Sequence, residues 1–389
     1  MKKVVFLLPL SREYERGLLQ GIAQYSKIHG PWAHYMVMPD YSRPSRLLSH
    51  LKQLNPDGFV IRIPFSIKTD QLLPFDKPII VVDITKPADG FPSIEPDCKV
   101  PATLTTDYFW GKGYSNFAFI GFQHSYWCQQ RGYYLEQALA AKKQLLHKFH
   151  CNVKSDNMLE EVQDALIRWL VGLPKPVAIL TTNCDLARHV LEACKIADIP
   201  VPEQAAVLGI DNDSLVCQLS SPTLSSIAYN FEQTGYEAAQ LLDQLMKGHQ
   251  LVNPKLAVQK IIASPTHIIT RESTDREIIN DVDIANALSF IRQNSKQQLQ
   301  VDDVAEAVGI PRRSLERKFR KMFDRSIYTE IIHVRMKHAA QMLCETNLSM
   351  TRIAYEFQYN EERFFSRCFK SVLGMSPSQY RKRFGKMIY

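Results

Sequence analysis

Two regimes of apolar spacing divide the chain. From residue 3 to about 270, short apolar runs alternate with stretches whose apolar residues recur at helical spacing, whereas beyond about 285 only the helical spacing remains. Val4–Leu8, Tyr35–Met38, Gly58–Ile63 and Ile79–Val82 are runs of strand length. Helices are predicted over Glu13–Lys27, Pro44–Leu54 and from about Cys98 to Trp110, the last capped by Asp97. The alternation then restarts, with Phe117–Gly121, a helix over Gln129–Leu146, a strand near Phe149 and a helix over Asn157–Val171. Val177–Thr181, Asp185–Ala197, Ala206–Ile210 and Glu232–Met246 continue it. Such alternation implies parallel sheets covered by helices on both faces. Two series in succession predict an α/β, two-lobed, doubly wound architecture over residues 1–272, with hinges near 110 and at 230–255. The helix over 232–246 is expected to return to the first lobe. The charged stretch Arg271–Asp283 reads as a linker, placed at 273–284.

The last hundred residues predict an all-α domain, at 285–389, in which one motif occurs twice. Val301, Val304, Ala305 and Val308 form the apolar face of a short helix, Gly309 turns the chain, and Leu315, Phe319 and Phe323 mark a second helix from Pro311. The outer face of that second helix carries Arg312, Arg313, Glu316, Arg317 and Arg320. About fifty residues on, Ile353, Ala354 and Phe357 repeat the first helix behind a Ser349 cap. Asn360 is the expected cap of the next helix, which buries Phe365 and Phe369 and presents Glu362, Arg363, Ser366, Arg367 and Lys370. A helix over Tyr328–Glu345 joins the copies. Its length of about 27 Å approaches one turn of B-DNA, roughly 34 Å, so both basic helices could enter successive major grooves. Two short helices with a basic second member read as a helix-turn-helix.

Several spaced motifs carry a resemblance here: Leu315-Glu-Arg-Lys-Phe-Arg, Arg335-Met-Lys-His-Ala, Ile353-Ala, Phe365-Ser-Arg-Cys-Phe-Lys and Pro377-Ser-Gln-Tyr-Arg. Residues from about 285 to 384 resemble the DNA-binding domain of the AraC/XylS regulators. The resemblance implies double-stranded DNA as partner, with contact by the outward residues named above. RNA polymerase follows as a further expected partner. Three positions depart from the family pattern. Gln358 stands where a Gly usually turns, Pro311 where Ser or Thr usually caps, and Glu362 is an acid on a DNA-facing turn.

Charge agrees with that division. From residue 281 onward there are 19 Lys+Arg and 12 Asp+Glu; the chain total of 47 and 40 leaves 28 of each before it, so the whole net charge of +7 lies in the C-terminal part. Phosphate contacts need such an excess. The 45% hydrophobic composition supports real cores. The 8 Cys show no C-x-x-C spacing and read as buried free thiols of a reducing cytosol. His147, His150 and Cys151 lie close in sequence but lack a second ligand pair, so no metal and no cofactor is expected. The apolar start is too short for a secretory signal and is followed at once by Arg12, Glu13, Glu15 and Arg16. No run approaches a membrane helix, so a cytoplasmic protein without membrane contact is expected.

Ligands of open α/β sheets sit beyond the carboxyl ends of the strands. Those positions hold Ser11, Tyr14, Arg16 and Arg62 in the first lobe, and His124, Trp127, Arg131, Asn183, Asp185 and Asp211 to Asp213 in the second. Carboxylates to accept paired hydroxyls, guanidinium and amide donors, and an aromatic to cover a C–H face suit a polyol. Val207-Leu-Gly-Ile-Asp-Asn-Asp, Leu224-Ser-Ser-Ile and Thr234-Gly-Tyr-Glu-Ala-Ala are similar to the sensor lobes of LacI/GalR-type regulators, as are Tyr14-Glu-Arg-Gly-Leu-Leu-Gln-Gly-Ile and the stretch Trp127 to Arg131. That resemblance implies a small sugar effector, a pentose such as xylose, bound by Ser11, Tyr14, Arg16, Trp127, Arg131, Asn183, Asp185 and Asp211. It also implies a homodimer. Cys184 stands where such sensors carry Asp, which leaves the acidic role to Asp185 or a water, or points to another ligand. A regulator of another sugar, a sugar phosphate or a purine, or a repressor, stays open. An enzyme is not expected, for the chain lacks a G-x-G-x-x-G turn, a Walker loop and a G-x-S-x-G elbow.

Overall fold

A computed structural model describes the chain except residues 38–42, 64–68, 83–89, 124, 153–161, 249–258, 276–280, 324 and 385–389. It divides into two units, Met1–Arg276 and Glu277–Tyr389.

The first unit holds two six-stranded sheets, one per lobe. The first sheet runs β11 (Lys260–Ala263), β5 (Ser93–Pro96), β4 (Ile79–Val82), β3 (Gly58–Arg62), β1 (Lys2–Leu7), β2 (Trp32–Met36), all neighbours parallel. The second runs β12 (Pro265–Ile269), β10 (Ser225–Tyr229), β9 (Ala205–Ile210), β8 (Val177–Thr181), β6 (Asn116–Phe122), β7 (Leu146–Cys151), parallel except for β12 against β10. This is the expected two-lobed α/β architecture. β5, β10, β11 and β12 were not among the expected strands. β5, β11 and β12 mix polar or Pro residues into four- or five-residue runs, and β10 opens on two serines. β2 starts at Trp32, whose buried ring belongs to the core, rather than at Tyr35. Of the helices, α4 is Tyr126–Ala140 rather than 129–146, because Leu146 already opens β7. The expected helix over 157–171 is described as α5 (Gln163–Gly172); its first residues lie outside the described chain.

Strand alternation sends β1 into two cores at once. Val4 and Phe6 pack with Val60 and Ile80 against α1 (Glu13–His29) and α8 (Phe231–Met246), while Val5 and Leu7 face Leu47 and Leu51 of α2 (Pro44–Leu54). α8 thus returns to the first lobe as expected. Glycines set how closely it lies on α1: a Cβ at Gly21 would meet the Glu232 carbonyl oxygen at 1.8 Å, and one at Gly235 the Leu18 carbonyl oxygen at 2.0 Å. The motifs Tyr14-Glu-Arg-Gly-Leu-Leu-Gln-Gly-Ile and Thr234-Gly-Tyr-Glu therefore meet backbone to backbone, at Leu18 and Gly235.

Among the described residues the chain passes between lobes three times, and the first passage corrects the hinge expected near 110. α3 (Lys99–Trp110) already packs on α4 of the second lobe, so the crossing lies at Asp97–Cys98. The others lie at Asn230 and Ser264, between β10 and α8 and between β11 and β12. The three strands are tied side by side. Ser264 N donates to Asn230 Oδ1 at 2.8 Å, Asp97 N to the Ala263 carbonyl at 2.8 Å, and the Tyr229 hydroxyl to the Asp97 carbonyl at 2.9 Å. Asp97 Oδ1 accepts from Lys99 N and Val100 N, the expected capping of α3. The expected linker 273–284 is narrower: Ser273 and Thr274 are buried on the second lobe, with Ser273 Oγ donating to the Val207 carbonyl at 2.7 Å. Asp281 meanwhile caps α9 (Val282–Gln293).

The second unit contains α9, α10 (Val301–Val308), α11 (Arg312–Phe323), α12 (Ile327–Glu345), α13 (Met350–Glu356), α14 (Glu362–Leu373) and α15 (Pro377–Phe384). Two cores lie in series. Ile327 and Ile331 of α12 belong to one with Leu315 and Phe319, while Met336, Ala339 and Leu343 belong to the other with Phe365 and Phe369. One long helix therefore builds both helix-turn-helix halves. Gly309 turns the first copy with φ 74°; Gln358 turns the second with φ 56°, and its side chain accepts from Gln298 N at 3.2 Å. Ser349 caps α13, as expected. Asn360 does not cap α14: its N-cap is Glu361, without a side-chain bond.

Candidate functional site

In the sensor, the residues expected to bind ligand fall into two groups. The first surrounds Arg131, which is 4% exposed on α4. Its guanidinium lies 5.0 Å from the Trp127 ring centroid and 5.8 Å from that of Tyr229, donates to the Thr182 carbonyl, and stands 3.7 Å from Asp211 Oδ1. Burial alone would lower its pKa, but Tyr229 and the Asp211 carboxylate hold it above its ordinary value, so it is a fixed cation. Asn183 is 2% exposed; its Oδ1 caps α6 (Cys184–Ile196) by accepting from Leu186 N at 2.8 Å, while its Nδ2 makes no hydrogen bond to the described residues. Tyr14 joins the group through rings: it meets Phe231 edge to face at 5.0 Å, and Phe231 stacks on Tyr229 at 5.2 Å. Asp211 follows β9 with φ 86°.

The second group ties the lobes together. Arg16 donates to Asp213 Oδ2 at 2.6 Å, to Glu13 Oε2 at 3.2 Å and to the carbonyls of Leu10 and Ser11. Glu13 N donates to the same Asp213 oxygen at 3.0 Å, and Arg12 stands 3.4 Å from Asp185. Ser11, Arg16 and Asp185 are therefore engaged in an interlobe clasp rather than gathered at Arg131. Asp213, which also caps α7 (Ser214–Leu219) through its other oxygen, is the residue that sequence reasoning undervalued. Tyr229 was missed as well; its place at the end of β10 is the signal that could have found it. Arg62 pairs with the fully buried Glu15 at 2.9 Å. Cys184 points away from this chemistry: its Sγ lies 3.1 Å from the Ile210 carbonyl and 3.3 Å from Ser226 Oγ, inside the core. His124 lies outside the described residues.

The thiols are free, and burial pushes those of Cys128, Cys151 and Cys194 up to about 12, which makes them poor nucleophiles. His147 and His150 sit three apart on β7 and so face opposite sides of it; among the described residues no cluster could hold a metal ion.

In the second unit, aligning the buried pairs Leu315/Phe319 and Phe365/Phe369 sorts the expected DNA contacts. Arg313 and Arg317, and in the second copy Arg363 and Arg367, are exposed on α11 and α14. Arg312 is spent within the chain, on Asp302 at 2.8 Å and Glu316 at 3.1 Å. Glu316 is thereby neutralised, and Glu362 accepts from the Thr351 hydroxyl at 2.6 Å. Glu316 is thus held within α11 itself, and Glu362 ties α14 to α13, so neither acid stands free toward bases. Ser366 is half-buried.

A bilobed α/β unit followed by a twofold helix-turn-helix defines an effector-sensing DNA-binding protein. Residues 106–274 match the periplasmic binding protein-like domain and residues 304–383 a helix-turn-helix domain. The chain belongs to the AraC-type helix-turn-helix transcription regulators and carries a periplasmic-binding-protein-like domain ahead of the DNA-binding one. It is 36% identical over 98 residues to the HTH-type transcriptional activator AarP of Providencia stuartii, covering 25% of this chain and 73% of that one. It is 28% identical to the xylose operon regulatory protein of Escherichia coli, across 97% of this chain and 96% of that protein. The solved structure of the xylose-binding transcription activator xylR matches 99% of both chains, with 26% identity and a TM-score of 0.59.

Proposed function

We propose that this chain is a sugar-responsive transcription activator whose effector is a pentose, with xylose the first to test. The observation that carries the reading is the Arg131 cluster. A fixed guanidinium, a carboxylate, an unsatisfied buried amide donor and an indole face are gathered at the strand ends of one lobe, opposite Tyr14 of the other. A polyol satisfies all of these at once. The whole-length similarity to proteins named for xylose points the same way. Sugar binding to the closed arrangement shifts the lobes toward it, and the DNA-binding unit responds. A sugar phosphate is the weaker reading, because Arg12, Arg16 and Arg62 are each already paired with a carboxylate. The protein acts in the cytoplasm as a homodimer, without enzymatic activity of its own, and contacts RNA polymerase at its promoters. Ser11, Arg16 and Asp185 contribute to the sugar response through the clasp, and Trp127, Arg131, Asn183, Asp211 and Tyr14 by direct contact. Calorimetric titration of the full chain with pentoses, hexoses, their phosphates and purines tests this. One unphosphorylated pentose should bind and should change operator affinity; tighter binding of a phosphate or purine overturns it.

A further inference from the structure

Among the outward positions of the two second helices, one exchanges a polar residue for an aromatic ring. When Leu315 is matched to Phe365 and Phe319 to Phe369, Arg313 falls on Arg363 and Arg317 on Arg367, but Ser314 falls on Phe364. Phe364 is 50% exposed on a helix that otherwise turns charge and small polar groups outward. Its ring is nevertheless fixed. The Tyr359 ring lies 5.8 Å away and the Arg367 guanidinium 5.6 Å from its centroid. Tyr359 is itself buried under the Arg335 guanidinium at 4.8 Å, so this platform is anchored to α12. Between Arg363 and Arg367, on the helix meant for the major groove, such a ring meets base edges rather than water. Only one base presents an apolar group there, thymine with its 5-methyl. The stacked Arg367 keeps its N–H edge free for the paired acceptors of guanine.

We propose that Phe364 is a base-reading residue: its ring covers the methyl group of a thymine that neighbours the guanine taken by Arg367. The recognition is confined to the second copy, because Ser314 offers no apolar surface. This rests on the assignment of α14 to the major groove. The test uses the full-length protein and duplexes that it enriches from a random pool, each thymine then replaced in turn by deoxyuridine, which deletes only the methyl. One substitution, beside a guanine, should weaken wild-type binding about fourfold, the worth of one buried methyl. Phe364→Ala should bind the thymine and uracil duplexes alike, Phe364→Leu should keep part of the difference, and Ser314→Ala all of it. Thermal unfolding of each variant shows that the fold is intact. If no thymine is sensitive, or if Phe364→Ala stays as sensitive as wild type, the ring serves another contact and the proposal falls. If the protein enriches no sequence at all, the groove assignment falls with it.

Discussion

Asp211 keeps a left-handed backbone although it bears a side chain, a conformation that costs about 1–3 kcal/mol where nothing offsets it. The helix after it is capped by Asp213, so capping does not explain Asp211. Asp211→Asn should therefore leave the fold intact and lower xylose affinity more than tenfold, since a charged acceptor in a closed site contributes about 1.5–3 kcal/mol. Unchanged affinity by calorimetry would place the sugar elsewhere. On the DNA side, Arg317→Ala and Arg367→Ala should each cost about 1–3 kcal/mol on the specific site and much less on random DNA. Arg312→Ala should cost less, because its donors are held by Asp302 and Glu316. His267 adds a pH dependence. Burial pushes its pKa down from 6.5 to about 4, so the folded protein resists protonation that the unfolded chain accepts, and the stability is lost as pH falls from 6.5 toward 4. The penalty of His267→Gln, read by denaturant titration, should shrink by about 2 kcal/mol between pH 7 and pH 5.

At the scale of elements, the two resemblance motifs of the sensor gain a mechanical meaning. Gly21 and Gly235 let α1 and α8 touch through their backbones, which fixes Tyr14 and Phe231 against one another. Gly235→Ala should destabilise the sensor by about 1–3 kcal/mol, because its Cβ would strike a backbone carbonyl that cannot step aside. Unfolding midpoints of the full chain would reveal it as a shift in the sensor transition alone. Helices α10 to α13 of the DNA-binding unit were legible to within a residue or two, since apolar spacing, Gly309 and Ser349 mark the same ends. By contrast, α9 and α15 were not expected, and α14 runs to Leu373, past its expected end at Lys370. Less legible were the four outer strands of the sensor sheets, too short and too polar to show a period. The crossing at Asp97 was hidden too, since α3 could pack on either lobe.

For the whole molecule, separation into Met1–Arg276 and Glu277–Tyr389 follows the split in charge. The fragment 277–389 should bind DNA without the sensor, and its affinity should fall steeply between 50 and 200 mM salt. Fluorescence anisotropy measures this, and binding indifferent to salt would remove the phosphate-contact reading. Asp211→Asn should not alter binding by this fragment's portion of the full chain in the absence of sugar.

By itself, the sequence determined the class of fold, the doubled helix-turn-helix and the side on which positive charge lies. Those properties are written in periodicity and composition, which survive without any knowledge of contacts. Tertiary structure alone decided which polar residues work together. Asp211, Asn212 and Asp213 are adjacent and chemically alike, yet positive φ at the first two turns one toward Arg131, one to Arg271 and the third to the clasp and the α7 cap. In the same way Arg312 and Arg317 share one helix, one charge and an exposed position, and only the ion pairs of Arg312 with Asp302 and Glu316 separate the two.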